Sequence, residues 1–251
     1  MEIRIDQSLQ SYVDATNETA KELLDSDGPL VSIALRPYEY FQTVLWTDAK
    51  GLNPWAALLS MHAVMLYLAG VRIALGGHFA AIFPTMRTAL EAACYAHKIS
   101  QDNELADVWL DRHENREAMK ACRKQFGSAV SDVAKELEAV AEGNGSWIQE
   151  AYDEAINHGG HPNVKTILQH SRMNEADDKA MVSLVGLHGP NGFQTHRGLL
   201  ASAEYGLAIA VVLTNTLDKA DENHLDFLKE FNDEKIAVAT ALENGEYAKE
   251  C

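Results

Sequence analysis

The chain has 251 residues, which fits one large domain with a full core. Hydrophobic residues at 47% and charged residues at 23% are ordinary for a soluble globular protein. A formal charge of −16 argues against a broad nucleic-acid surface or a footprint on an acidic membrane, since both need an excess of Lys and Arg.

The first residues carry neither a basic nor an apolar leader, so no secretory signal is expected. Residues 5–25 place Ile5, Leu9, Tyr12, Thr16, Ala20 and Leu23 on one helical face. Asp6 is available as cap, and Ser26-Asp27-Gly28-Pro29 is the breaker. In residues 30–50, LVSIALR alternates like a strand, whereas PYEYFQTVLW opens like a helix at Pro37.

Residues 51–71 carry no formal charge and are just long enough to span a bilayer. Asn53, Pro54 and His62 within them, and the lack of a basic flanking loop, favour a core helix beginning at Pro54. After the Gly76-Gly77 break comes a long apolar helix, residues 78–101, with Pro84 near its start. Residues 104–126 and 128–142 put Met119, Cys122, Phe126, Val130, Val133, Leu137 and Val140 in steps of three and four, a seam across two helices. A helix over 146–158 ends at Gly159-Gly160.

The texture then changes. NVKTILQH (163–170) and AMVSLVGLH (180–188) are β-rich, which predicts a β-hairpin with SRMNEADDK as its tip. A second long apolar helix, 195–219, and an amphipathic helix, 222–243, complete the chain. The expected fold is mainly α: a multi-helix bundle of one domain (1–251), with the hairpin (about 163–188) in a subdomain spanning 159–193.

Two features suggest chemistry. In the helix at 78–101, Arg87, Glu91, Tyr95 and Lys98 form one narrow stripe, flanked by Cys94 and surrounded by apolar residues. In the helix at 195–219, Arg197, Glu204 and Asn215 fall on one line. A buried charge needs a partner, so the two lines are expected to face each other across the core. There they would form a pocket with Glu91 and Glu204 as bases or ligands and Arg87 and Arg197 as anion holders. The same pattern suits a salt-bridge network that only fixes helix register.

His158, His161, His170, His188 and His196 cluster in sequence, and His158, His161 and His196 are candidate metal ligands beside carboxylates. No HExxH, Walker A, GxGxxG or nucleophile elbow is present, and no cofactor is indicated. Cys94, Cys122 and Cys251 match no zinc or redox spacing, which points to reduced thiols and a cytoplasmic address.

Finally, RTALEAACYA (87–96), WLDRH (109–113) and HPN (161–163) together resemble bacterial helical families grouped with abortive-infection and HEPN-type proteins. The resemblance spans residues 55–165. It implies a helical bundle that dimerises and, in some members, cleaves RNA. HEPN nucleases use an arginine, four intervening residues, then a histidine; the nearest pair here, Arg72 and His78, has five between. Two readings are open. One is a non-enzymatic interaction or ligand-sensing module in stress or phage defence, with a small-molecule or anionic ligand. The other is an RNase or metal-dependent hydrolase using Glu91, Glu204 and His161.

Overall fold

The computed structural model describes residues 8–47, 51–160, 164–176, 179–217 and 220–247; at 160, 165, 166, 169, 172–176 and 179–182 it describes the backbone alone. Eleven helices are described, α1 (Leu9–Ser26), α2 (Pro29–Thr43), α3 (Pro54–Leu75), α4 (Phe79–Gln101), α5 (Glu104–Leu110), α6 (Arg116–Phe126), α7 (Ala129–Val140), α8 (Asn144–Ala155), α9 (Val164–Gln169), α10 (Phe193–Thr214) and α11 (Glu222–Glu243). Strands β1 (Ser171–Ala176) and β2 (Lys179–Leu184) pair antiparallel, with Ser171 opposite Leu184 and Ala176 opposite Lys179. The fold is a mainly α bundle, as the periodicity predicts.

At its centre, α3 and α4 form an antiparallel pair joined by Gly76-Gly77. Pro54 opens α3 at its first turn, behind the Asn53 cap, whose side chain accepts from the Trp55 amide. Helix α10 packs against α2, α3 and α4. It comes close because two glycines present bare backbone. A Cβ at Gly198 would meet Ile82 Cδ1 at 2.7 Å, and one at Gly206 would meet Pro37 Cγ at 2.3 Å. Ile82, Met86, Leu90, Leu199, Ala203 and Ile209 are completely buried, so the apolar core is continuous through this crossing.

Several expectations need correction. Residues 30–36 are not a strand: α2 is one helix from Pro29 to Thr43 with Pro37 inside it. Its buried residues Leu30, Val31, Ile33, Ala34, Pro37, Tyr40 and Phe41 follow helical spacing, and burial decides against the local alternation. On α1 the cap is Ser8, which accepts from the Ser11 amide; Ile5 and Asp6 lie outside the described residues. Only the later part of the predicted face is covered, since Leu9 remains 79% exposed. The predicted 104–126 helix is broken by a 3-10 turn, Asp111–His113, and restarts where the Asn115 side chain caps the Ala118 amide.

The hairpin exists but is shifted. Residues 164–169 are helix α9, and the polar segment read as the tip is itself strand β1. The base of the hairpin is moored to the α3–α4 turn, where the His188 amide donates to the Gly77 carbonyl at 3.0 Å. Gly77 has φ +79°, and a Cβ there would lie 2.1 Å from the His188 carbonyl oxygen. This position therefore requires glycine on both counts.

By length and apolarity, α3 and α10 could each cross a bilayer. Within the protein, 72% of the most apolar stretch of α10 is buried, against 44% for α3.

The α2–α10 approach gives a stability prediction. Gly206→Ala forces a methyl group into the Pro37 ring and Tyr67, both fixed in the core, and should cost about 1–3 kcal/mol. That corresponds to a melting temperature lower by roughly 2–4 °C per kcal/mol. Thermal denaturation checks it, and an unchanged midpoint would contradict the close packing.

Candidate functional site

The first polar line survives as a local constellation. Arg87 and Glu91 are one turn apart on α4, and the Arg87 Nε donates to Glu91 Oε1 at 3.0 Å. Tyr152, from α8, completes the group: its hydroxyl donates to Glu91 Oε1 at 2.7 Å and accepts from Arg87 Nη2 at 3.3 Å. The guanidinium also lies over the Tyr152 ring, 5.3 Å from its centroid. The Arg87 and Glu91 side chains are 30% and 31% exposed, so the pair sits at the margin of the bundle rather than inside it.

These residues line a cleft of about 140 Å³ between α4, α8 and the α6–α7 junction. Its polar lining comes from Arg87, Glu91 and Tyr95 of α4, Tyr152 of α8, and Ser128 and Ser131 at the start of α7. Tyr95 is held by Phe126, ring to ring at 4.5 Å. Burial raises the phenol pKa of both Tyr95 and Tyr152, and the Glu91 carboxylate adds to it, so both keep their protons at neutral pH. Burial works against the charge of Arg87, but Glu91 and Tyr152 outweigh it and its pKa rises. A larger hollow, about 450 Å³, is lined by Asn17, Glu18, Lys21, Glu22 and Asp25 of α1 alone. With one helix for a wall, it is a solvated face rather than a cleft.

Below the cleft, α4 is pinned to α7 by charge. Lys98 Nζ donates to Asp132 Oδ2 at 2.7 Å, and the buried His97 Nε2 lies 3.1 Å from Glu136 Oε2. The Ser128 hydroxyl also donates to Asp132. The hydrogen bond from Lys98 is the main reason that the Asp132 carboxyl stays below its ordinary range.

The second polar line does not meet the first. Glu204 accepts from the Trp147 indole N–H of α8 and from Lys235 of α11, and the ammonium also lies over the Trp147 ring. Arg197 lies over Phe79 and Phe193, at 5.3 and 5.7 Å from their centroids, and Asn215 donates to Val211 on its own helix. The expected core pocket joining Arg87-Glu91-Tyr95 to Arg197-Glu204-Asn215 is therefore absent among the described residues. Helices α4 and α10 touch through Phe79, Ile82 and Gly198; Arg87 and Glu91 turn to Tyr152 on α8, and Glu204 turns to Trp147 on α8 and Lys235 on α11.

The histidines are also dispersed. His158 Nε2 pairs with Glu154 at 2.8 Å and its ring stacks on Phe83. His196 Nε2 meets the Pro190 carbonyl at 3.1 Å, and His170 Nδ1 lies 3.1 Å from His188 Nε2. His161 lies outside the described residues. Among the described residues no group of three or more His, Cys, Asp or Glu could hold a metal ion. Cys94 is fully buried and its thiol pKa is pushed up, first by burial and then by Glu91 and Glu136, which opposes activation as a nucleophile. Cys122 is buried too.

Sequence reasoning missed Tyr152, Asp132 and Glu136. The two carboxylates one turn apart on α7 matched His97 and Lys98 on α4 and were a readable signal. Tyr152 offered none, because a tyrosine in an amphipathic helix has many ordinary uses. Arg72 and His78 flank the Gly-Gly turn. His78 meets the Tyr12 hydroxyl at 3.2 Å, and burial chiefly, with Arg72 adding, lowers its pKa.

A depressed Asp132 pKa contributes stability that is complete above the unfolded value, about 4. It is lost as pH falls through the lower folded value. Melting temperatures from pH 6 to pH 2 should therefore drop more steeply for the wild type than for Asp132→Asn, the two converging in acid. Parallel curves would mean that the Lys98 contact is not formed. No family model, curated protein or solved structure matches the chain.

Proposed function

We propose that the chain is a non-enzymatic ligand-sensing or interaction module of the cytoplasm, and that the Arg87-Glu91-Tyr152 cleft takes a small anion or an anionic side chain. The observation that carries this is the half-buried position of the Arg87–Glu91 pair at a cleft wall. A pair serving only helix register gains nothing from facing an opening. Size narrows the occupant: about 140 Å³ holds roughly five water volumes, at ~30 Å³ each, so the fit is a carboxylate or phosphate group rather than a larger cofactor. Arg87 supplies the charge, Tyr95 supplies a hydroxyl, and the first turn of α7, whose Ala129, Val130 and Ser131 line the cleft, favours negative charge.

The test is thermal shift and titration calorimetry with inorganic phosphate, acetate and succinate. At least one should raise the melting temperature of the wild type. Arg87→Gln should weaken it by about tenfold or more, the loss expected of a charge-assisted contact, and Arg197→Gln should leave it unchanged. No response from the wild type, or equal loss from both variants, would remove the cleft as a site.

A second reading, RNA cleavage, rests on a different observation. Arg72 and His78 belong to one surface group with Tyr12 and Asn17, and the Arg72 charge acts on the imidazole. A histidine kept neutral near an arginine suits a general base beside a phosphate binder. Incubation with single-stranded RNA should then give cleavage that His78→Ala abolishes and Arg87→Gln leaves intact. Uncut RNA rejects this reading and leaves the first untouched.

A further inference from the structure

Helix α3 carries apolar residues on all sides, although the middle of its outer side is left exposed among the described residues. Its outer side runs Trp55, Leu58, His62, Met65, Ala69 and Arg72, all six exposed, in alternating steps of three and four. That is a heptad seam, the spacing by which one helix lies along another. Exposure reaches 52% at Leu58, 53% at the adjacent Met61 and 66% at Met65. The chain carries 21 Lys and Arg and 37 Asp and Glu, yet none falls in residues 51–71. The one charge on the seam is Arg72, at its end, where a solvated helix face in so charged a protein would carry more.

We propose that α3 is the surface through which two copies of this chain pair, antiparallel and two-fold symmetric, seam against seam. The occupant follows from the seam's own order. Running α3 against a second α3 in the opposite direction puts Trp55 opposite the second copy's Arg72, Leu58 opposite its Ala69, and His62 opposite its Met65. The outer layers match a cation with an aromatic face and large with small, the central layers set His62 beside Met65, and the two-fold axis passes between these two. A parallel arrangement would stack Trp55 on Trp55 and Arg72 on Arg72.

Charge favours this occupant over a lipid surface. Interfacial helices flank their apolar face with Lys and Arg, whereas α3 has only Arg72, on a chain of net charge −16. The area also fits a weak dimer. A 22-residue helix is about 33 Å long and 10–12 Å wide, so the seam covers roughly 350 Å² in plan, against ~800 Å² per partner in a standard interface. Elements at its two ends extend it. Trp55 lies 6.4 Å from Trp109 of α5, next to the exposed Leu110, and Arg72 bonds Asn17 of α1, near the exposed Tyr12 and Val13. The acidic paired bodies repel each other while the seam carries only Arg72 from each copy, so added salt tightens the dimer.

The inference is independent of the cleft. Sedimentation velocity on the full chain, up to about 200 µM and in low and high salt, should show a monomer–dimer equilibrium that salt shifts toward dimer. Leu58→Lys and Met65→Glu, both at exposed positions, should each weaken association by about tenfold or more with an unchanged circular-dichroism melt. In a Cys251→Ser background, His62→Cys chains mixed with Met65→Cys chains should cross-link to each other faster than Met65→Cys chains cross-link among themselves. A wild-type monomer at every concentration overturns the proposal, as does a dimer indifferent to both charges. Faster cross-linking of Met65→Cys alone overturns the antiparallel register. A monomer that floats with phosphatidylcholine vesicles, and loses this with Leu58→Lys, assigns the face to lipid instead.

Discussion

Everything in this bundle is arranged around how closely α10 can approach α2 and α4. Gly198 and Gly206 leave its backbone bare where Ile82 and Pro37 press in, at separations that a single methyl group would violate. So tight a crossing has no room for arginine or glutamate, and the charged residues of both helices are displaced to the rim. There each finds its own counterpart: Tyr152 for Arg87 and Glu91, Trp147 and Lys235 for Glu204, and phenyl rings for Arg197. The polar geometry of the protein is set by the apolar contact.

Helix α8 gains its importance from this displacement. It bonds Glu91 through Tyr152 and Glu204 through Trp147, and the Ala151 carbonyl between them accepts from the Tyr205 hydroxyl of α10. One short helix thus ties both long core helices, α4 and α10, and forms a wall of the cleft. Its C-terminal end runs into a π-helical turn, Ile156–Gly160, where Gly159 lies against the Pro84 ring of α4. Such turns insert an extra residue and shift the helical register beyond them, which lets the chain leave α8 toward the hairpin.

Much of this was legible in the residues. Pro54 and the Gly76-Gly77 break mark the ends of α3, and the i,i+4 spacing of Arg87 and Glu91 gives their ion pair directly. The features that escaped were set by distant contacts. Nothing local reveals that Pro37 can sit inside a helix, since its ring packs against Gly206 on a helix distant in sequence. Residues 164–169 carry β-prone side chains, yet become helix α9, with the polar SRMNEA taking the strand. The supposed meeting of the two polar lines failed for a similar reason. Periodicity shows which residues share a face, but not which neighbour that face receives.

The mooring of the hairpin has one further consequence. The return chain is fastened by main-chain atoms, the His188 amide on the Gly77 carbonyl and the Val185 amide on the His170 carbonyl. Attachments of this kind are indifferent to side-chain identity, so the stretch between can diverge freely in composition while its anchorage persists. The intolerance falls elsewhere, on a single atom-sized vacancy at Gly77, more than a hundred positions upstream. Among descendants of this sequence, variability should gather in the loop and invariance at the hinge that receives it.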